Sequence, residues 1–392
     1  MKIVEFSIKN YRVFRDAQLR DVPDLCVLVG ANGSGKSTLF DVFSFLKDAL
    51  TMNVSKALMR RGGFSEVVTR GSEGPIEIEV KFRESGGRLA TYTLRISSEN
   101  SKGIVEREVL KFRRGQRGQP WHFLDFTRGK GMAITNEEDY GKEQAQAQRE
   151  EQTLESQDIL AIKGLGQFQR FRIVSEFRRM IENWHISDFH IQDARPSAEE
   201  GLSEHLSTQG ENLSLVAQFL HDHHPEVFAT ILQRMKERVP GVQSVEARPT
   251  EDGRIVLRFQ DGAFKDPFIA RYVSDGTIKM FAYLVLLYDP TTFPLLAVEE
   301  PENQLYPELL RELCEEFRQY AERGGQVFVS THSPDFLNAV RLDEIYWLRK
   351  REGIAEVCKA SESELLRNLV AEGDLPGALW RQGLFEGAGP RS

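Results

Sequence analysis

Cysteine is scarce in this 392-residue chain: Cys26, Cys314 and Cys358 stand far apart, with no CxxC pair and no Cys/His spacing of a metal site. That excludes a disulfide framework and a zinc hook and agrees with a reducing compartment, the three thiols reading as ordinary buried side chains. Long apolar runs are also missing. The longest spans Met280 to Tyr288, far short of the roughly 20 residues needed to cross a bilayer, so no membrane partner is expected. The opening stretch MKIVEFSIKNYRVF mixes charges with alternating apolar residues and has no apolar leader segment, from which a cytoplasmic location is expected. Positive charge is not in excess either. The net charge is −8, so the surface as a whole does not advertise nucleic-acid binding, although a local basic face stays open. No internal repeat and no sustained heptad is present, which excludes a long coiled coil.

What is there is enough for a substantial core: hydrophobic residues make up 40% of the chain, consistent at this length with two or three structural units. The first 50 residues read as strand, turn, strand, Gly-rich loop and helix, and IEIEVKF (76–82) and LATYTLRI (89–96) read as a second pair of strands joined through Gly86 and Gly87. From 113 to 158 the chain turns polar, with RRGQRGQ and then EQAQAQREEQTLESQ, and reads as an exposed insertion. Phe168, Phe171, Val174, Phe177, Ile181 and Trp184 recur at helical spacing, and a second helical stretch over 211–238 is interrupted at His224-Pro225. These helices are expected to form an arm or cap. From 250 onward RIVLRF, FIARYV, a helix from Asp275, PLLAV, a helix from Pro307, QVFVS and EIYWLR alternate, which predicts a largely parallel sheet covered by helices. The expected layout is an N-terminal lobe (1–96), an inserted region (97–249) and a C-terminal lobe (250–392) of an α/β P-loop head.

Gly30-Ala31-Asn32-Gly33-Ser34-Gly35-Lys36-Ser37 matches GxxxxGK[ST] at every fixed position, follows an apolar strand and opens a helix. The glycines let the backbone N–H groups and the helix N-terminus face phosphates; Lys36 is placed to reach the β- and γ-phosphates, the Ser37 hydroxyl to ligate Mg²⁺, and Thr38 joins the nucleotide-contacting residues. ATP and Mg²⁺ are the expected cofactors. Leu295-Leu296-Ala297-Val298-Glu299-Glu300 is an apolar strand ending in two carboxylates, with Glu299 assigned to the metal and Glu300 to the attacking water.

Upstream lies Val273-Ser274-Asp275-Gly276-Thr277 and downstream Ser330-Thr331-His332-Ser333-Pro334. The order of P-loop, S-x-G, acidic strand with a following Pro-Glu-Asn, and His after a short strand resembles the ABC ATPase family. Within that family, IKNYRVFRD, GANGSGKST, EEPENQLYP and STHSPDFL are similar to the ATPase heads grouped with SMC, RecF and OLD proteins. The resemblance implies an ATP-sandwich homodimer, in which Ser274 and Gly276 meet the γ-phosphate held by the partner copy, His332 contacts the γ-phosphate and the water, and Asn303 lines the dimer seam. Asn10 and Arg12 match a stretch that in relatives lies near the nucleotide, with a strand edge and a solvated charge as the alternative. Two departures stand out. Glu299 is one methylene longer than the usual Asp, which implies slower hydrolysis, and Ser-Asp-Gly replaces Ser-Gly-Gly, with Asp275 expected to cap its own helix. Gln192, after HISDFHI, is the candidate for the metal-contacting glutamine that the family carries. The helical insertion and the N-terminal motif do not resemble transporter ATPases.

Basic groups with neighbouring aromatics, Lys111 to Arg117, Arg170-Phe171-Arg172 and Arg178-Arg179, are the candidates for DNA contact, with solvated helix faces as the alternative. The expected function is that of an ATPase in DNA repair or anti-phage defence acting on DNA or driving a separate nuclease. The rival is a slow ATP-dependent scaffold or sensor that holds and releases a toxin or effector.

Overall fold

The structure, a computed structural model, describes residues 1–84, 87–113, 120–139 and 147–388. Gly86 and, of the basic run Lys111 to Arg117, the residues from Arg114 onward, together with the start of the Gln-rich tract at 143–146, lie outside the described residues. The chain divides into two compact units, one of residues 1–184, 342–374 and 382–392 and one of residues 185–341 and 375–381.

The first unit begins with β1 (Lys2–Tyr11), β2 (Phe14–Arg20) and β3 (Leu25–Val29), then α1 (Lys36–Thr51), α2 (Val54–Met59) and α3 (Phe64–Val67). It continues through β4 (Ile76–Arg83), β5 (Leu89–Glu99), β6 (Lys102–Phe112), β7 (Trp121–Thr127), β8 (Lys130–Ile134) and β9 (Arg149–Thr153) to α4 (Ala161–Leu165) and α5 (Arg172–Glu182). An eight-stranded antiparallel sheet runs β2-β1-β4-β5-β6-β7-β8-β9. Ile76, Ile78, Val80 and Phe82 alternate with polar residues, as a sheet with one covered face requires. That face is covered by α1 and α5: Phe43 stacks on Phe6 at 5.1 Å, and Phe177 meets Phe82 and Tyr92 at 5.2 Å each. Burying each such ring contributes roughly 2 kcal/mol.

The second unit contains β10 (His185–Ser187), α6 (Ile191–Ala194), β11 (Ala198–Glu199), α7 (Leu213–His223), α8 (Pro225–Arg238), β12 (Val242–Pro249), β13 (Arg254–Asp261) and β14 (Phe268–Ile269). After these come α9 (Asp275–Leu287), β15 (Leu296–Glu299), α10 (Pro307–Glu322), β16 (Val327–Thr331) and α11 (Pro334–Leu337). Strands β10, β15 and β16 pair in parallel, and β11, β12 and β14 pair antiparallel with β13. Every residue of α9 from Ile278 to Leu287 is buried, the signature of a helix enclosed on all sides. The first unit closes with β17 (Ile345–Arg351), parallel to β3, then β18 (Ile354–Lys359) and α12 (Glu364–Ala371), while α13 (Pro376–Arg381) belongs to the second.

Several sequence expectations differ from this. The stretch from 97 to 184 is not set apart from the N-terminal lobe: it supplies the end of β5, then β6 to β9, and the covering helix α5. The cause is visible in β9, REEQT, an edge strand whose residues are almost all exposed, so no apolar alternation marks it. FIARYV is a strand only at Phe268–Ile269 and continues as a 3₁₀ turn at Ala270–Tyr272. Of the three thiols, Cys26 and Cys314 are buried, whereas Cys358 is half-buried.

Candidate functional site

Strand β3 is five buried residues ending at Val29, and the chain then turns through the Gly-rich loop into α1. The turn has no room for a side chain at Gly30: an added Cβ would collide with Ser34 Oγ and lie 2.7 Å from the Leu348 carbonyl oxygen. Gly35 takes φ 112°, and a Cβ there would lie 3.1 Å from both Val13 and Phe14, so the β1–β2 turn presses against the loop. Lys36 is 6% exposed, and its ammonium donates to the carbonyls of Gly30 at 2.7 Å and Ala31 at 3.2 Å, which hold the charge at the loop. Asn32, Gly33 and Ser37 are exposed and Thr38 is half-exposed.

Helix α1 follows Gly35 at its N-cap position, with no side-chain cap and no acidic residue in its first turn. The positive end of a 16-residue helix therefore meets the loop with no acidic side chain in its first turn to offset it, an arrangement that favours an anion. The buried Ser34 Oγ has no hydrogen-bond partner. Polyphosphate oxygens fit both features.

Arg12 leaves β1 with φ 48°, and its guanidinium pairs with Asp41 of α1 at 3.1 Å. Asp41 also accepts from Tyr11 Oη at 2.8 Å and Arg61 Nε at 2.7 Å. Burial, and then the neighbouring Asp41 carboxylate, hold the Tyr11 phenol well above its ordinary range. Arg12 is thus neither a free solvated charge nor a bare strand edge; it belongs to a network that anchors α1. Asn10 takes φ 57° and donates to the Pro75 carbonyl at 3.0 Å.

In the second unit the parallel register of β15 and β16 sets Glu299 opposite Ser330. Glu300 N–H donates to the Ser330 carbonyl at 2.9 Å, and its φ of 42° places it in the left-handed region, a strained conformation for a residue with a Cβ. Asn303 Nδ2 donates to Glu300 Oε2 at 3.0 Å. Glu302 accepts from Thr331 Oγ1 at 2.7 Å and from the His332 N–H at 2.9 Å, which ties the turn after β15 to the turn after β16. The His332 ring lies 3.3 Å from Glu300 and 3.5 Å from Glu302. Glu300, Asn303 and His332, separated in sequence, therefore form one polar cluster.

Ser274 is the N-cap of α9: its hydroxyl accepts from the Thr277 N–H and lies 2.8 Å from Thr277 Oγ1. The cap expected of Asp275 is thus made by Ser274, because Asp275 is already the first helical residue and pairs instead with Arg195. Arg195 also donates to the carbonyls of Ala270 and Arg271 at 3.0 Å each and so holds the turn that precedes Ser274. At Gly276 an added Cβ would lie 2.8 Å from the Gln304 carbonyl oxygen, so only glycine permits this approach of α9 to the turn after β15.

Gln192 is placed apart from this cluster. It sits on α6 and lines a cavity of about 470 Å³ with Arg195, Val256, Leu257 and Ile269. Ser187 pairs with Val298, so the residue that leaves β10 at the level of Glu299 is Asp188, not Gln192. Sequence reasoning missed Asp188, Arg195 and Lys279. Only Lys279 carried a signal, as the lone charge among ten consecutive buried positions of α9. Among the described residues no three His, Cys, Asp or Glu side chains gather as a self-contained metal site. Of the basic candidates for DNA contact, Arg172 pairs with Glu176 at 2.9 Å, Arg178 with Glu182 at 3.6 Å and Arg170 with Glu150 at 3.9 Å, so much of that charge is neutralised locally. Among the described residues no helix is long and apolar enough to cross a membrane.

A family model described as "AAA domain, putative AbiEii toxin, Type IV TA system" matches residues 25–338. Among solved structures, an SMC head bound to the C-terminal winged-helix domain of ScpA is similar over 91% of this chain and 97% of its own, at 15% identity and a TM-score of 0.54. A second similar structure is a Pyrococcus furiosus Smc head with an extended coiled coil bound to the C-terminal domain of ScpA. It covers 95% of this chain and 100% of its own, at 13% identity and a TM-score of 0.50. At these identities the likeness shows the fold alone, that of an SMC head domain. No curated protein matches the chain.

Proposed function

Because the chain belongs to this AAA-domain family of P-loop ATPases, we propose that it binds and hydrolyses ATP as a sandwich dimer of two heads and uses the cycle to engage and release a partner effector. The observation that carries the reading is the loop at Gly30–Ser37, with Lys36 held at the uncapped, positively polarised start of α1.

In this reading Gly30, Asn32, Gly33, Ser34, Gly35 and Thr38 line the phosphates through backbone N–H groups and hydroxyls, and Lys36 balances the charge on the β- and γ-phosphates. The Ser37 hydroxyl and the Glu299 carboxylate would hold Mg²⁺, with Asp188 in the place expected of Gln192. Mg²⁺, when bound, would supply charge neutralisation to the phosphates. Glu300 accepts the proton of the attacking water, and His332, held beside it, orients the γ-phosphate. Ser274 and Gly276 present N–H groups at the start of α9 to the nucleotide of the second copy, and Asn303 lies on the seam. Arg12 anchors α1 through Asp41, a role compatible with contact to phosphate when ATP is bound.

The family description includes "putative AbiEii toxin, Type IV TA system", and both similar SMC heads are described as bound to ScpA. These motivate a protein effector or toxin as the partner. DNA repair and anti-phage defence remain the processes to test. A slow scaffold that holds a toxin is the second reading, favoured by Glu299 in place of Asp and by the net charge of −8. The steady-state ATPase rate of the whole chain, with and without duplex and single-stranded DNA and with Lys36→Ala as blank, separates them. Strong DNA stimulation supports the DNA-coupled motor, a low DNA-indifferent rate supports the effector-holding switch, and no activity above the blank overturns ATP hydrolysis.

A further inference from the structure

Lys279 is 3% exposed and stands in the second turn of α9, where its neighbours Ile278, Met280, Phe281 and Ala282 are all buried and apolar. Its ammonium donates to the Asn303 carbonyl at 2.7 Å and lies 5.7 Å from the Tyr283 ring centre. Three carboxylates act on it, Glu302 and Glu300 from the turn after β15 and Asp188 from the end of β10. Burial draws its pKa down to about 8 against the upward pull of these acids. A desolvated ammonium is costly to keep at a position a methionine would fill, unless its charge serves the groups around it.

Its contacts define what it serves. The residue to which Lys279 is bonded through the main chain, Asn303, is bonded through its side chain to Glu300. One turn earlier on the same helix, Gly276 lies against the carbonyl of Gln304. The start of α9 and the 299–305 turn therefore touch at two points, one a close approach to a main-chain carbonyl that only glycine permits, the other a charged tether. The Glu300 carboxylate is two hydrogen bonds from α9, the signature helix that opens at the S-x-G stretch Ser274 to Gly276.

Building on the function proposed above, we propose that Lys279 is a positioning residue that locks the Glu300 turn to the signature helix of the same protomer, so that engagement of Ser274 and Gly276 by the second copy's nucleotide sets the orientation of Glu300. Each head would then hydrolyse its ATP only when its own signature turn is occupied, and the two sites would fire in concert.

The test uses the whole chain with Lys279→Met, Lys279→Arg, Ser274→Ala and the Lys279→Met/Ser274→Ala double variant, with ATP as the probe. Expected results are ATP affinity within about threefold of wild type, kcat down on the order of 10- to 100-fold for Lys279→Met, partial recovery in Lys279→Arg, and no further loss when Ser274→Ala is added to Lys279→Met. Equal and additive losses, or an unchanged kcat in Lys279→Met, would overturn the proposal. Hydrogen exchange supplies a readout independent of turnover: ATP should protect both 30–37 and 299–305 in wild type, but only 30–37 in Lys279→Met. Persistent protection of 299–305 in the variant also overturns it. If wild-type turnover does not depend on Glu300, the hydrolytic reading fails by itself, and the exchange pattern still decides the tether. Should Lys279→Met not fold, Lys279→Arg and Asn303→Gly carry the same comparison.

Discussion

Nδ1 of His332 lies 3.3 Å from Oε1 of Glu300, while the backbone N–H of the same histidine donates to Glu302. The two acids thus divide the work: Glu302, whose side chain is 8% exposed, fixes the turn, and Glu300, one-third exposed, faces outward beside the imidazole. Glu300→Gln should preserve ATP affinity, lower kcat by about 100-fold or more, and accumulate an ATP-bound dimer, because the geometry survives and only the proton acceptor is lost. Light scattering with and without ATP checks this; a variant that stays monomeric counts against the sandwich dimer. Glu302→Ala should instead unfold at lower denaturant by about 1–3 kcal/mol, since Thr331 Oγ1 and the His332 N–H lose their acceptor.

The P-loop makes a sharper pair. Lys36→Ala should leave stability nearly unchanged and abolish measurable nucleotide binding by calorimetry. Gly30→Ala should do the opposite first: the collision with Ser34 and the Leu348 carbonyl displaces the loop and lowers the melting temperature before any ligand is added. Equal melting temperatures for wild type and Gly30→Ala would contradict the packing described for this turn.

Glu108 gives a pH signature. It is fully buried in β6 and accepts from Tyr92 Oη at 3.1 Å, from the Ile162 N–H at 3.1 Å and from the Ala161 N–H. Burial raises its pKa from 4.5 to about 7, against these hydrogen bonds, which pull the other way. The folded chain then holds a proton that the unfolded chain releases between pH 4.5 and 7. Its stabilising contribution is complete below pH 4.5, falls as pH rises and is lost above about 7. The span is roughly 3 kcal/mol. Glu108→Gln, which keeps an acceptor for the helix N–H groups, should flatten this part of the stability–pH curve. Urea titrations at pH 5, 6 and 8 with parallel curves for both proteins would refute it.

The anchor of α1 can be read the same way. Asp41 receives Tyr11, Arg12 and Arg61, and the Arg61 side chain is only 7% exposed. Asp41→Ala leaves a nearly buried guanidinium with Asp48 as its remaining carboxylate partner and should cost about 2–4 kcal/mol. Tyr11→Phe, which removes one hydrogen bond from the same carboxylate, should cost about 1 kcal/mol. A larger loss in Tyr11→Phe than in Asp41→Ala would show that Asp41 is not the centre of the network.

What the sequence by itself determined is what a short stretch of chain can encode. The loop at Gly30–Ser37 needs glycine where the backbone turns left-handed or another backbone approaches, and those requirements are local, so the motif announced its own conformation. The same holds for the buried strands LCVLV and VFVST, whose unbroken apolar runs match their placement in parallel pairs. The sheet from β6 to β9 was less legible, because edge strands exposed to water carry polar residues that look like a loop. Only the tertiary structure decided which acid stands beside Glu299, since parallel register between β10 and β15, more than 100 residues apart, brings up Asp188 and leaves Gln192 in another cavity. It also decided that Arg195 holds the signature turn and that Lys279 reaches Asn303. Residue types announce a chemistry when their spacing is set by one turn of backbone; when their partners come from distant strands, the register and packing that join them are properties of the whole fold.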